Sequence, residues 1–425
     1  MIIANITTPL LGLVDTAVLG HLPTVEALAG ASIGALVITQ IYWVCGFLRM
    51  SVTGLSAQML GRWHKDATQP DTYAKPLAQA GAMALLLALV AGLLIPWVIG
   101  VTQAIAQTDT LTNQFIAEYL SVRVFGAPAA LLNLVLVGWL IGQQRTSAVL
   151  MIQVAGNLIN IVLNLVYVFM LDLNVIGVAA ATVTSEYVMA FWGAYLAVKP
   201  LNVFKPKWHW FSRTECLQVL SLNTAMFIRN LMLQLCLAFI TFQGARLGAQ
   251  TAAVNAILMQ FFVLISLGLD GIAYAVEALV GEAKGQRQVI EVNQHTQRGL
   301  FWSSLFAVAY SGFFWIAGEL ILSLLTNKSE LVLAASPYLP LIIVLPLVAH
   351  WCFLFDGVFV GLSQAQAMRN TMMFSALGVF FPAWWLLQSM NNWALWLAFL
   401  LFLAARGASL GGAYLYAQQK GRLLD

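Results

Sequence analysis

From Lys199 to Glu215 the chain reads KPLNVFKPKWHWFSRTE, a basic, proline-broken stretch with long apolar runs on both sides. Working outward from it gives six apolar segments before it (about 2–20, 33–60, 77–100, 116–142, 147–171 and 176–198) and six after it (about 219–243, 252–281, 298–325, 336–362, 368–389 and 393–417). Each is long enough to cross ~30 Å of hydrocarbon at ~1.5 Å per helical residue. Several are longer than that, so tilt or extension beyond the lipid is expected.

Composition supports the same reading. Of 425 residues, 61% are hydrophobic and only 9% charged, against about 25% charged in soluble domains. So few charges cannot cover a water-facing surface of this size. The run lengths suit helices rather than the ~10-residue alternating strands of a membrane barrel. The first run has no basic leader or cleavage pattern and is expected to be a true span rather than a signal peptide.

The loops test the count. Arg62, Lys65, Lys75, Arg145, Lys199, Lys205, Lys207, Arg213, Lys284, Arg287, Arg298, Arg369, Lys420 and Arg422 all fall on one side of the twelve-span layout, and only Arg246 and Lys328 on the other. A miscounted span would scramble that asymmetry. The positive-inside rule then places both termini in the cytoplasm. With the basic residues dispersed over short loops, a nucleic-acid partner is excluded.

The basic stretch divides the chain into an amino-terminal lobe (1–198), a cytoplasmic linker (199–217) and a carboxy-terminal lobe (218–425). Placing Gly20 on Gly244 aligns the two halves without gaps through Gly61 and Gly285, and GWLIG (Gly138–Gly142) matches GVFVG (Gly357–Gly361). Six is even, so both halves enter the membrane in the same orientation, as parallel repeats. The expected fold is an all-α polytopic membrane protein, twelve transmembrane helices in two six-helix lobes related by a pseudo-two-fold axis along the membrane normal.

Ionisable groups inside spans normally face a cavity or a partner. Asp15 lies within LLGLVDTAVLGHL (Leu10–Leu22). In a poorly hydrated cavity the neutral acid is favoured, so such a group can load and unload protons near neutral pH; a purely structural hydrogen-bond network is the other reading. In the fifth span Asn157, Asn160 and Asn164 fall at i, i+3 and i+7, one helix face. In the sixth, Thr182 and Glu186 are spaced i, i+4. These groups supply what a buried carboxylate, a proton or a small cation needs, although Asn and Thr also serve as interhelical glue. In the second half Asp270, Tyr274 and Glu277 share one face of the eighth span and Asp356 sits in the tenth. They form either a second cation or substrate site, or charge pairs in which Arg229 neutralises Asp270 or Glu277. Pro9, six residues before Asp15, can let the first span change shape when that acid changes charge.

LVDTAVLGHL in the first span, GWLIGQQR before the fifth, NIVLN within it, GVAAATV opening the sixth and LDGIAYAVEALVG in the eighth resemble the MATE family, the multidrug and toxic compound extrusion transporters, and the last motif resembles the DinF-like branch. Members export organic, often cationic and amphipathic, compounds in exchange for protons or sodium. The resemblance implies that Asp15 is the first-span acid of the amino-terminal lobe, Asn160 its amide partner and Thr182 a further ligand. The sequence departs at Asn164, where many relatives carry a second acid. Losing that charge weakens the case for sodium and leaves Asp15 as the main titrating group.

The expectation is therefore a monomeric secondary-active multidrug exporter in a bacterial inner membrane, coupled to protons, with sodium coupling as the alternative. No cofactor, metal site or catalytic residue is expected. The sequence holds no phosphate-binding loop, HExxH, GxSxG or Cys/His pairing, so neither ATP hydrolysis nor an enzyme is expected. A flippase for lipids or lipid-linked precursors is a further rival, but it needs several basic residues in its cavity, and only Arg49 and Arg229 lie deep enough. Small-molecule toxicants and membrane lipids are the expected partners.

Overall fold

The computed structural model describes residues 18–20, 24–66, 72–199 and 207–424, and among these no strand occurs. Asp15 and Pro9 lie outside the described residues. The helices are α1 (Val25–Val44), α2 (Phe47–Lys65), α3 (Lys75–Ala106), α4 (Thr110–Arg123), α5 (Ala127–Gly142), α6 (Thr146–Asn164), α7 (Asn174–Val198), α8 (Arg213–Arg246), α9 (Ala249–Gln286), α10 (Val289–Leu325), α11 (Ser329–Ala335), α12 (Leu339–Gly361), α13 (Ala365–Met373), α14 (Phe381–Leu387) and α15 (Asn392–Gln419). Hydrocarbon offers no partner for a backbone N–H or C=O, so a chain this apolar must satisfy its backbone within helices.

Joined across short links, these form eleven spans of membrane length among the described residues, and each coincides with one of the predicted apolar segments. The predicted first span is the one outside them. The links are tight. α4 passes into α5 through a 3₁₀ turn (Val124–Gly126), and α11 into α12 through another (Ser336–Tyr338). Pro128, Pro340 and Pro382 fall in the first turn of α5, α12 and α14, where a missing N–H costs no hydrogen bond. Among the described residues, only Pro96 and Pro346 are interior to their helices. The 38 residues of α9 make it about 57 Å long at 1.5 Å per residue, longer than the ~30 Å of a hydrocarbon core.

The chain forms two compact units, one of Ile3–Ser56 and Asp66–Leu220, the other of Ala57–Lys65 and Ser221–Asp425. In the first, half of the basic stretch is docked: Gln79 donates to the Trp210 carbonyl at 2.6 Å, and Lys75 pairs with Glu215 at 2.6 Å. In the second, Gln58 donates to the Gly361 carbonyl at 2.8 Å and His64 contacts Glu282 at 2.8 Å.

The internal repeat is visible in each unit's own geometry. A Cβ on Gly138 would lie 2.5 Å from the Arg49 carbonyl oxygen, and one on Gly357 would lie 2.7 Å from that of Ala273. Arg49 and Ala273 are separated by the same offset as Gly20 and Gly244, so each unit makes the same glycine-dependent helix crossing. The turn that follows also recurs. Gln144 and Ser363 both adopt positive φ (57° and 51°), and Arg145 and Gln364 each donate an amide to a carbonyl five residues back. Both units then carry a π-helical turn, Leu165–Met170 and Phe374–Phe380.

Candidate functional site

In the first unit, the structure brings three predicted residues into one chain of hydrogen bonds. Asn164 donates to Asn160 Oδ1 at 2.9 Å, Asn160 donates to Thr182 Oγ1 at 3.2 Å, and Thr182 donates to the Val178 carbonyl at 3.1 Å. Both asparagines are fully buried. The four- and seven-residue spacing on α6 puts the amides on one face, and α7 presents Thr182 to it. Asn164 ends the regular helix, and the π turn begins at Leu165; such turns frequently mark functional positions. Asn157 shares the α6 face and is half-buried.

Val18 and Leu19, three and four residues after Asp15, pack in one cluster with Val168, Val175, Val178 and Ala179. The end of the first segment is thus held against α7 one turn from Thr182. The network itself contains no ionisable group among the described residues, so its amides and hydroxyl can orient and hydrogen-bond a charge but cannot carry one.

Glu186 goes elsewhere. Although it lies one turn from Thr182, both its carboxylate oxygens accept from Arg123, each at 2.9 Å. Arg123 also lies 5.7 Å from the Tyr42 ring centroid, and Asn133 donates to the Glu186 carbonyl at 2.9 Å. Arg123 escaped the sequence reading. The available signal was an arginine near the start of the apolar 116–142 segment, which has to find an acid.

In the second unit, Asp356 is held by two guanidinium groups. Arg229 and Arg406 both donate to the same oxygen, Oδ2, Arg406 at 2.5 Å. Arg229 also donates to Asn230 at 2.7 Å. Arg229 thus pairs with Asp356, 127 residues away, a partner that the sequence did not offer it. The Cys352 thiol lies within electrostatic reach of Asp270, Asp356, Arg229 and Arg406, so Asp270 shares that neighbourhood. Tyr274 is half-buried one turn along α9, and Glu277 is buried where α9 meets α12 at Gly361. A separate polar knot joins Asn255, Asn392 and Trp396: the two amides exchange hydrogen bonds at 2.8 Å, and the indole donates to Asn255 Oδ1 at 2.8 Å. Phe261 and Phe262 are packed in the core.

No group of three or more His, Cys, Asp or Glu side chains arranged to hold a metal occurs among the described residues.

Comparison with known proteins adds the following. The MatE family model matches residues 1–166 and 225–385. The chain is 40% identical over 426 residues to DNA damage-inducible protein F of Escherichia coli (strain K12), spanning 97% of this chain and 90% of that protein. It is 26% identical over 417 residues to multidrug and toxin extrusion protein 2 of Oryctolagus cuniculus, spanning 92% of this chain and 65% of that one. Among solved structures, a MATE crystal structure in the bent conformation matches with a TM-score of 0.85 at 18% identity, over 100% of this chain and 94% of that one. The outward-facing conformation of a multidrug resistance MATE family transporter of the MOP superfamily matches at 0.84 and 18% identity, with the same coverage. At that identity, the likeness establishes the shared all-α polytopic fold.

Proposed function

The chain belongs to the MatE family, and on that premise we propose that it is a secondary-active multidrug exporter, antiporting organic, often cationic and amphipathic, compounds against protons by alternating access. It is a transporter and not an enzyme. The observation that carries the coupling site is the Asn164–Asn160–Thr182 chain beside the helix end that follows Asp15.

Asp15 is the group we assign to the proton. Glu186 is engaged bidentately by Arg123 and Asp356 by two arginines, so protonating either would strand a buried guanidinium. Asn164, standing where many relatives carry a second acid, removes one negative charge from this network and so favours protons over sodium. Outward-facing, Asp15 takes a proton and the cavity reorganises, releasing substrate. Inward-facing, the proton leaves and substrate loads. Each ligand shifts one conformational equilibrium by its differential affinity for the two states. Pro9 is the position we assign to the accompanying change in the first span.

The flippase reading loses support from the same contacts: the buried cations Arg123, Arg229 and Arg406 all pair with carboxylates, Arg123 with Glu186 and the other two with Asp356.

We place the protein in a bacterial inner membrane, as a monomer, with both termini in the cytoplasm. What supports that orientation is the concentration of Lys and Arg on one side of the span layout.

Efflux of a fluorescent organic cation from vesicles, under an imposed proton or sodium gradient, tests the assignment. The wild type is expected to respond to the proton gradient and Asp15→Asn to lose that response. Transport driven by sodium without any proton requirement would overturn the choice of ion, and undiminished transport by the variant would remove Asp15 from the mechanism.

A further inference from the structure

We propose that the second unit carries a phospholipid site, a groove that seats an acyl chain of an anionic phospholipid from the cytoplasmic leaflet. The groove encloses about 750 Å³ between α10, α12 and α15. Its floor is α12, through Leu347, Val348, Trp351 and Phe355. Its α15 wall is cut back to glycine. A Cβ on Gly407 would lie 2.8 Å from Trp351 Cβ and one on Gly411 3.1 Å from the Phe355 ring, so those two glycines let α15 close onto the floor. A Cβ on Gly412 would meet nothing within 4 Å, so at that position the missing side chain leaves space.

Polarity is graded along the groove. The α15 lining begins at Ala404 and ends at Gln418, where Asn293 and Gln297 of α10 also line the site. Tyr414 donates to Asn293 Oδ1 at 2.6 Å, which fixes that polar end. Exposed cations stand near it: Lys420 and Arg422 follow Gln418, and Arg298 follows Gln297 on α10, which runs the other way and also carries Glu291 two residues before Asn293. No Asp, Glu, Lys or Arg lines the groove itself.

Length and charge select the occupant. From Ala404 to Gln418 the helix rises about 21 Å, fourteen steps of about 1.5 Å, close to half of the ~40–45 Å that a bilayer spans with its headgroups. An apolar trough one leaflet deep, ending in amides and then in cations, matches a hydrocarbon chain with a negative headgroup, since cationic residues next to a membrane attract anionic lipid. An amphipathic cation would meet the wrong sign of charge at the mouth and no carboxylate inside. Assignment to the cytoplasmic leaflet rests on the orientation proposed above; retention of lipid does not depend on it.

The test is native mass spectrometry of the full chain, extracted in mild detergent from vesicles of phosphatidylethanolamine and phosphatidylglycerol. The wild type is expected to retain phosphatidylglycerol preferentially. Gly412→Trp and Ala408→Trp, which fill the groove from its open side, are expected to lose it while keeping the wild-type elution profile and helical content. Arg298→Gln/Lys420→Gln/Arg422→Gln is expected to keep a bound lipid but lose the preference for phosphatidylglycerol. Equal retention by the filled variants, no retained lipid in the wild type, or displacement of the phosphatidylglycerol by rhodamine 6G would each overturn the proposal. A wild type that retained lipid but did not export would count against the proposed function and leave this site standing.

Discussion

Glu186 and Arg123 are 63 residues apart and form a bidentate pair with 16% and 6% of their side chains exposed. A pair so buried is a modest source of stability when intact, but removing one partner leaves an uncompensated charge at a cost of about 3–5 kcal/mol. Glu186→Gln is therefore expected to destabilise the protein by roughly that amount, and Arg123→Met/Glu186→Met to recover most of the loss. Denaturant unfolding in micelles, followed by circular dichroism, checks both. A Glu186→Gln protein as stable as the wild type would show that Arg123 is solvated or otherwise satisfied. Asp356→Asn is expected to cost more than Glu186→Gln, because it removes the carboxylate that two guanidinium groups share. At this scale the sequence revealed half of each arrangement. Asn160, Asn164 and Thr182 were legible because helical spacing alone aligns them on facing surfaces. The partners of Glu186 and Asp356 were not, because residues 63 and 127 apart meet through tertiary packing, which has no local period.

Elements divide their glycines into two kinds. At Gly138 and Gly357 a Cβ would press on backbone carbonyls at 2.5 and 2.7 Å, whereas at Gly92 and Gly312 it would meet nothing within 4 Å. Gly138→Val and Gly357→Val are expected to yield little folded protein, since packed helix backbones cannot give way. Gly92→Ala, inside α3, is expected to stabilise by about 0.4–1 kcal/mol through reduced freedom of the unfolded chain. Fluorescence-detected size exclusion after heating ranks the variants, and a tolerated Gly138→Val would contradict the crossing geometry. The cap of α4 adds a pH dependence. Asp109 accepts from the Thr112 amide at 2.8 Å and from its hydroxyl at 2.7 Å, and these bonds, the amide first, hold its carboxyl below the ordinary 3.8. With the folded value depressed, the cap's contribution is complete above the unfolded value and is lost as pH falls through the folded one. The NMR titration midpoint of Asp109 is expected below 3.8 and should rise in Thr112→Ala. The helices themselves were legible because lipid forces long apolar runs into helices, and the eleven described spans fall where hydropathy put them. Their ends were less so. α8 and α10 begin six and nine residues before the predicted segments, because polar turns such as Arg213–Gln218 and Val289–Gln297 extend a helix into water without any hydropathy signal.

For the molecule as a whole, the segregation of Lys and Arg is an orientation statement, and the native cysteines can test it. Of the four, Cys216 is exposed at the start of α8, Cys45 is half-buried, and Cys236 and Cys352 are buried. Cys216 directly follows the 199–215 stretch and lies at the same membrane face as Lys75, through the Lys75–Glu215 contact. If the basic face is cytoplasmic, a membrane-impermeant maleimide should modify Cys216 rapidly in inside-out vesicles and leave it untouched in intact spheroplasts. Cys216→Ser should abolish that fast phase, because the buried thiols react only when the helices part. Fast labelling from the outside would invert the topology. It would place the lipid groove in the opposite leaflet and require Asp15 to be loaded from the other side. The charge asymmetry and the coupling direction therefore stand on the same thiol.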